Sequence, residues 1–161
     1  MYKKLSFAIA TLLGTGYFPF APGTAGSLMS IPLAFVFAYF FGFWGIIGAV
    51  IATFIIGTIA THEVLKHTKH DPSFVVIDET AGQLLTFAGI SERLFADSHP
   101  RVVVLYLIGF ALFRLFDITK PQPAKWADSK VLNAWGVMLD DIFAGIYAAL
   151  VLYAIEYFLK L

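Results

Sequence analysis

Long apolar runs separated by short polar connectors dominate the chain: Thr24–Phe41, Trp44–Thr61, Phe74–Ile90, Arg101–Phe116 and Ile142–Leu159. A helix rises about 1.5 Å per residue and a bilayer core is about 30 Å thick, so a crossing needs about 20 residues. The runs predict membrane helices, the shorter ones tilted or re-entrant. Gly42-Phe43 leaves room only for a tight hairpin between the first two. Pro32 interrupts the first run and predicts a kink near Leu28. The third, FVVIDETAGQLLTFAGI, carries Asp78 and Glu79 and is the least suited to cross. Leu5–Leu13 reads as a short interfacial helix, and the turn-like GTGYFPFAPG after it argues against a cleaved signal peptide. The pattern predicts an all-α polytopic membrane bundle of about four to five spanning or re-entrant helices plus a short N-terminal interfacial helix. One domain over residues 1–161 accommodates all of it.

Composition fits that solvent. The residues AVILMFWYC make up 59% and charged residues only 14%, with no Asp, Glu, Lys or Arg from Leu5 through Thr61. Mean hydropathy is +0.79. An ordinary soluble enzyme and a disordered chain are excluded, since a soluble globule of this make-up would expose large apolar patches. Zero formal net charge gives no field to steer a polyanion, so nucleic acid is not an expected partner. Without cysteine there is no disulfide, thiolate nucleophile or thiolate metal site.

Basic residues choose an orientation. Lys3 and Lys4 place the N-terminus in the cytoplasm, and Lys66, Lys69, Lys120, Lys125 and Lys130 then fall in inner loops. Arg93 and Arg101, in the outer turn SERLFADSHP, run against this arrangement. It predicts a multi-pass membrane protein. Asp78/Glu79, Asp117 and Asp140/Asp141 all meet the cytoplasmic interface.

Those acids carry the chemistry. Five carboxylates beside apolar segments outnumber Arg114 and Lys120. Clustered carboxylates repel unless a proton or a cation lies between them. Oxygen-only ligands point to magnesium, with manganese as the alternative. The simpler reading of any one pair is a helix N-terminal acid stabilised by the helix dipole. Gly14–Ser27, rich in Gly, Pro and Thr, leads into a helix, where exposed amides with Thr24 or Ser27 suit an anion or merely shape a turn. Arg114 and Asp117 are three apart, on one helical face, while Pro121 disfavours helix at Lys120. This group fits a phosphate held against a metal, or a salt bridge at a helix end. His62 follows an apolar run, and His67, His70 and His99 read as solvated loop residues. Asp78-x-x-x-Gly82 and Asp141-x-x-x-Gly145 echo one another, each acid one turn before a glycine.

Taken in order, GTGYFPFAPGTAGSL, VVIDETAGQ, FRLFDITKPQPAKWAD and GVMLDDIFAG resemble the phosphatidylglycerophosphatase A family of magnesium-dependent membrane lipid phosphatases. The resemblance runs from Gly14 to Gly145. It departs at Asn133-Ala134-Trp135, where the family usually has a glycine pair. The resemblance implies hydrolysis of phosphatidylglycerol phosphate to phosphatidylglycerol and inorganic phosphate by metal-activated water. It implies Asp78, Glu79, Asp117, Asp140 and Asp141 as metal ligands, and Asp128 as a further site acid and candidate base. Arg114 and Lys120, with Thr24 and Ser27, would contact phosphate. The partners implied are a phospholipid substrate and the membrane, with the bacterial cytoplasmic (inner) membrane as the implied location; oligomeric state is not encoded in any motif. Two alternatives stand beside this reading: a small ion or proton transporter using intramembrane carboxylates, and a phosphatase for another lipid phosphate such as phosphatidic acid.

Overall fold

The computed structural model describes residues 2–68, 72–96 and 100–159, and the positions of Lys69, His70 and His99 lie outside them. The described residues form helices and no strand: α1 Tyr2–Ala10, α2 Pro22–Leu65, α3 Ile77–Thr86, α4 Arg93–Ala96, α5 Pro100–Thr119, α6 Ala124–Lys130 and α7 Ala134–Leu159. Single 3-10 turns occur at Thr15–Tyr17 and Ala88–Ile90. Three helices, α2, α5 and α7, are long and apolar enough to cross a membrane. Large apolar side chains such as Phe40, Trp44, Ile59, Leu107 and Leu150 stay exposed on them, as a lipid-facing surface requires.

Helix α2 is two arms rather than one rod. Its only non-helical residue is Gly42, at φ 59° and ψ −147°, a conformation that a side chain would strain. Across that break Ala34 and Ala38 of the first arm share a core cluster with Ile46, Ala49 and Val50 of the second. The hairpin expected at Gly42-Phe43 is therefore present. At Pro32 helical dihedrals continue, so the first arm is not broken there. A proline inside a membrane helix forfeits one ladder bond, which local adjustment and neighbouring helices accommodate.

The third apolar run does not form one helix. It divides into α3 and the Ala88–Ile90 turn, with the short α4 following beyond its end, and the 10 residues of α3 reach only about 15 Å. Nearly all of α3 is buried, including Asp78 and Gln83, so it is enclosed by the longer helices. Helix α7 starts at Ala134, well before the expected Ile142. Asn133 explains the early start: its Oδ1 accepts the Trp135 N–H at 2.9 Å and the Gly136 N–H at 3.4 Å. Asn133 thus serves as the N-cap of α7. Consequently Asp140 and Asp141 lie two turns inside α7 instead of ahead of it.

The echo of acid and glycine has a structural meaning. Helices α3 and α7 cross where Gly82 and Gly145 face each other. A Cβ added at Gly145 would stand 2.5 Å from the Gly82 carbonyl oxygen, and one at Gly82 would stand 2.5 Å from that of Asp141. Bare backbone at the crossing lets the helices approach closely, as small residues do between membrane helices. Asp78 and Asp141, one turn before each glycine, are thereby brought together. At the other end of α7, Glu156 pairs with Arg93 at 3.1 Å. That partner accounts for an arginine at the end opposite the acids. About 22 Å of helix separates Glu156 from Asp141.

The crossing predicts unequal costs for alanine. Gly145→Ala should lower the Tm of the detergent-solubilised protein by several degrees, an overpacking penalty of about 1–3 kcal/mol. Gly48→Ala, where no atom lies within 4 Å of the added carbon, should leave Tm unchanged or slightly raised. Equal shifts in differential scanning fluorimetry would contradict this account of the crossing.

Candidate active site

Five segments meet at the end of the bundle opposite the Gly42 turn. The N-terminus of α2 contributes Ala21 to Thr24, the loop before α3 contributes Ser73 and Val75, and α3 contributes Asp78 and Glu79. The C-terminal end of α5 and its exit add Arg114, Asp117, Ile118 and Lys120, and α7 adds Asp140 and Asp141. They enclose a cavity of about 320 Å³. Asp128, on α6, sits behind it.

The acids fall into two sets. Asp117, Asp128 and Asp140 are engaged by cations: Arg114 Nη1 lies 2.5 Å from Asp117 Oδ2, and Lys120 Nζ lies 2.6 Å from Asp128 Oδ1 and 2.5 Å from Asp140 Oδ2. Asp78, Glu79 and Asp141 form the second set, each offering an oxygen within 4.8 Å of the others. Arg114 Nη1 also stands 3.9 Å from Glu79 Oε1 of this trio. Among the described residues, six carboxylates thus face two cationic side chains, a charge of −4 when every acid is ionised.

Burial makes that imbalance matter. Glu79 Oε2 is buried and accepts no hydrogen bond from the protein. Burial pushes the Glu79 carboxyl up to about 8; a hydrogen bond with Asp78 opposes the shift, and the charges of Asp141 and Asp117 add to it. For Lys120, burial alone would favour loss of the proton, but Asp140 and Asp128 outweigh it and hold the ammonium well above the ordinary lysine range. Lys120 is therefore a fixed positive charge. Its backbone takes φ 43°, the left-handed region, between the end of α5 and Pro121. A lysine in a conformation that favours glycine is held by its surroundings, here two carboxylates.

Helix α2 delivers its N-terminus to the same cavity. Pro22 is its first residue, as befits a position whose N–H has no helical partner. Gly23 is a site residue that sequence reasoning did not single out. A Cβ there would collide with Glu79 Oε1 and stand 3.1 Å from Arg114 Nη1. Its place in APGTAGS was the available signal, but only the fold reveals what it must avoid. Thr24 lines the cavity. Ser27 is one turn deeper and fully buried, its hydroxyl donating to the Gly23 carbonyl at 2.8 Å and accepting from Arg114 at 3.4 Å. Ser27 therefore positions Arg114. His62 is exposed and outside the cavity, and His67 pairs with Glu63 at 3.5 Å.

Chemically, the arrangement offers an oxygen-only trio beside two fixed cations and a helix N-terminus. The trio suits a hard divalent cation, because its donors are all carboxylate oxygens and one is buried without a partner. Amides at a helix start together with guanidinium and ammonium groups suit a phosphate.

Comparison with known proteins gives the same direction. The model of the family Phosphatidylglycerophosphatase A matches residues 8–156. A Haemophilus influenzae protein named Phosphatidylglycerophosphatase A is 32% identical, covering 98% of this chain and 95% of that protein. An Escherichia coli protein of the same name is 32% identical over 91% of this chain and 81% of its own length. A Bacteroides thetaiotaomicron protein, provisionally named phosphatidylinositol-3-phosphatase, is 33% identical over 91% of this chain and 92% of its own. No solved structure matches the chain. With the family model covering nearly the whole sequence, the chain belongs to the phosphatidylglycerophosphatase A family, and its role is that of a lipid phosphatase.

Proposed function

We propose that this protein removes the terminal phosphate of phosphatidylglycerol phosphate, giving phosphatidylglycerol and inorganic phosphate, at the cytoplasmic face of the bacterial inner membrane. The observation that carries the reading is the carboxylate trio lying directly beside Arg114, Lys120 and the start of α2 in a chain of this family. Asp78, Glu79 and Asp141 would hold magnesium, or manganese in its place. When bound there, the ion supplies positive charge to the phosphoryl oxygens and a water of lowered pKa.

The chain's own residues do the rest. Arg114 and Lys120 offset charge on the phosphoryl group as it passes from the lipid oxygen to water. Backbone amides at Gly23 and Thr24 orient its oxygens. Asp117 and Ser27 fix the guanidinium, while Asp128 and Asp140 fix the ammonium, so both donors are in place before substrate arrives. With its carboxylate committed to Lys120, Asp128 serves this reading as a positioning residue. Water is the nucleophile: a P–O bond to water forms as the ester P–O bond breaks, and the departing lipid oxygen takes a proton.

A second lipid phosphate has one observation in its favour, the name of the Bacteroides thetaiotaomicron relative, similar over as much of the chain as the others. The transporter reading has less. Its acids would line a path, whereas the six site acids gather at one end of the bundle.

Phosphate release from detergent-solubilised phosphatidylglycerol phosphate should require magnesium, stop with a chelator and return with magnesium or manganese. Turnover unaffected by chelation would contradict the metal assignment, and faster release from phosphatidic acid or a phosphoinositide would replace the substrate. Asp78→Asn, Glu79→Gln and Asp141→Asn should each lower kcat by about 10²–10³, the scale of losing one transition-state stabiliser. Asp128→Asn should cost only about tenfold, because Asp140 still holds Lys120. If Asp128→Asn proves as damaging as Asp141→Asn, Asp128 acts on the reacting atoms directly.

A further inference from the structure

A second cavity adjoins the first. It lies between the Thr15–Tyr17 turn with its following loop and the opening turns of α2, and its volume is about 630 Å³. Tyr17, Phe18, Ala25, Leu28 and Met29 give it an almost wholly apolar wall. Ala21 and Thr24 line both cavities, so the polar site and the apolar groove meet there. From Thr24 the groove follows α2 toward Leu28 and Met29, about 6–7 Å further from the carboxylates along the helix.

We infer that this groove is the binding subsite for one acyl chain of the phospholipid substrate. The inference deepens the phosphatase reading and rests on it. An occupant must satisfy a polar cavity with two fixed cations and an apolar groove that opens from it. A molecule with a phosphate monoester at one end and a hydrocarbon chain a few bonds away meets both demands. Inorganic phosphate or a chainless headgroup fills only the first. The groove belongs to the lipid-embedded part of the molecule: Leu28 and Met29 are about half exposed, on a helix apolar enough to span a membrane. Its outer wall is packed against neighbouring elements. Tyr17 packs on Phe74 at 5.7 Å between ring centroids, and Phe74 stacks on Phe7 of α1 at 6.0 Å. Helix α1 and the loop before α3 thereby hold the groove's outer wall against the bundle. Discrimination between a lipid monoester and a soluble one would then reside in Tyr17, Phe18, Ala25, Leu28 and Met29, outside the catalytic cavity.

The test uses phosphatidylglycerol phosphate bearing a diazirine midway along one acyl chain, irradiated with the full-length protein in detergent micelles. Adducts should concentrate in residues 17–29, and a phosphatidylcholine carrying the same diazirine should label that segment far less. Label spread over exposed positions of α5 and α7, such as Leu107 and Leu150, without enrichment at 17–29 would overturn the inference. Equal labelling by the phosphatidylcholine would overturn it too, since the groove would then take any bilayer lipid. A kinetic arm follows the double variant Leu28→Trp/Met29→Trp, which fills the groove. The ratio of kcat/KM for the diacyl substrate to that for the same headgroup without chains should fall on the order of tenfold, through KM. An unchanged ratio contradicts the assignment. Crosslinking needs no turnover, so a wild-type protein that labels at 17–29 but releases no phosphate would refute the phosphatase reading and leave the groove standing.

Discussion

Like charges brought together away from water repel strongly, and the architecture of this protein is arranged around that repulsion. Asp78, Glu79 and Asp141 come from two helices and lie within 4.8 Å of one another, largely buried. In surroundings of low dielectric such a group is stable only with a proton or a cation among its oxygens. Their closeness follows from the α3–α7 crossing, where Gly82 and Gly145 remove the side chains that would hold the helices apart. Backbone contact at one point of the fold thus determines charge density one helical turn away.

The remaining acids have different company. Asp117, Asp128 and Asp140 are matched to Arg114 and Lys120, and the trio gathers beside them, with Arg114 3.9 Å from Glu79 Oε1. This division gives the two basic residues fixed positions. Lys120 is held in a left-handed backbone conformation beside Pro121, and Arg114 is braced by Ser27 and Asp117. Strain and burial concentrated at one end of a bundle that otherwise packs apolar surface are the mark of a site where stability yields to chemistry. At the opposite end of the bundle Arg93 pairs with Glu156.

Much of this was legible in the sequence, because membrane helices leave a strong signal. The apolar runs located α2, α5 and α7, and Gly42 marked the hairpin, since the connector was too short for anything else. The break of the third run after Thr86, into α3 and the Ala88–Ile90 turn, was not legible. Hydropathy measures how well a segment tolerates lipid, and a buried short helix scores as a spanning one does. The early start of α7 depended on an Asn133 cap that period analysis overlooks. Among site residues, the acids stood out because a carboxylate is conspicuous in an apolar run. Gly23 and the positioning part of Ser27 were hidden, since each acts through atoms far off in sequence: Glu79 for the glycine and Arg114 for the serine. Asp128 came to notice only through the family resemblance, its partner Lys120 being eight residues away across a proline turn.

Direct observation of the cation decides the central claim. Electron paramagnetic resonance of manganese titrated into the detergent-solubilised protein counts bound ions without reference to turnover. The account predicts a saturable bound population that magnesium displaces and that is lost when Asp78 or Asp141 is replaced by asparagine. Manganese binding that is equally tight and equally abundant in those variants would contradict it.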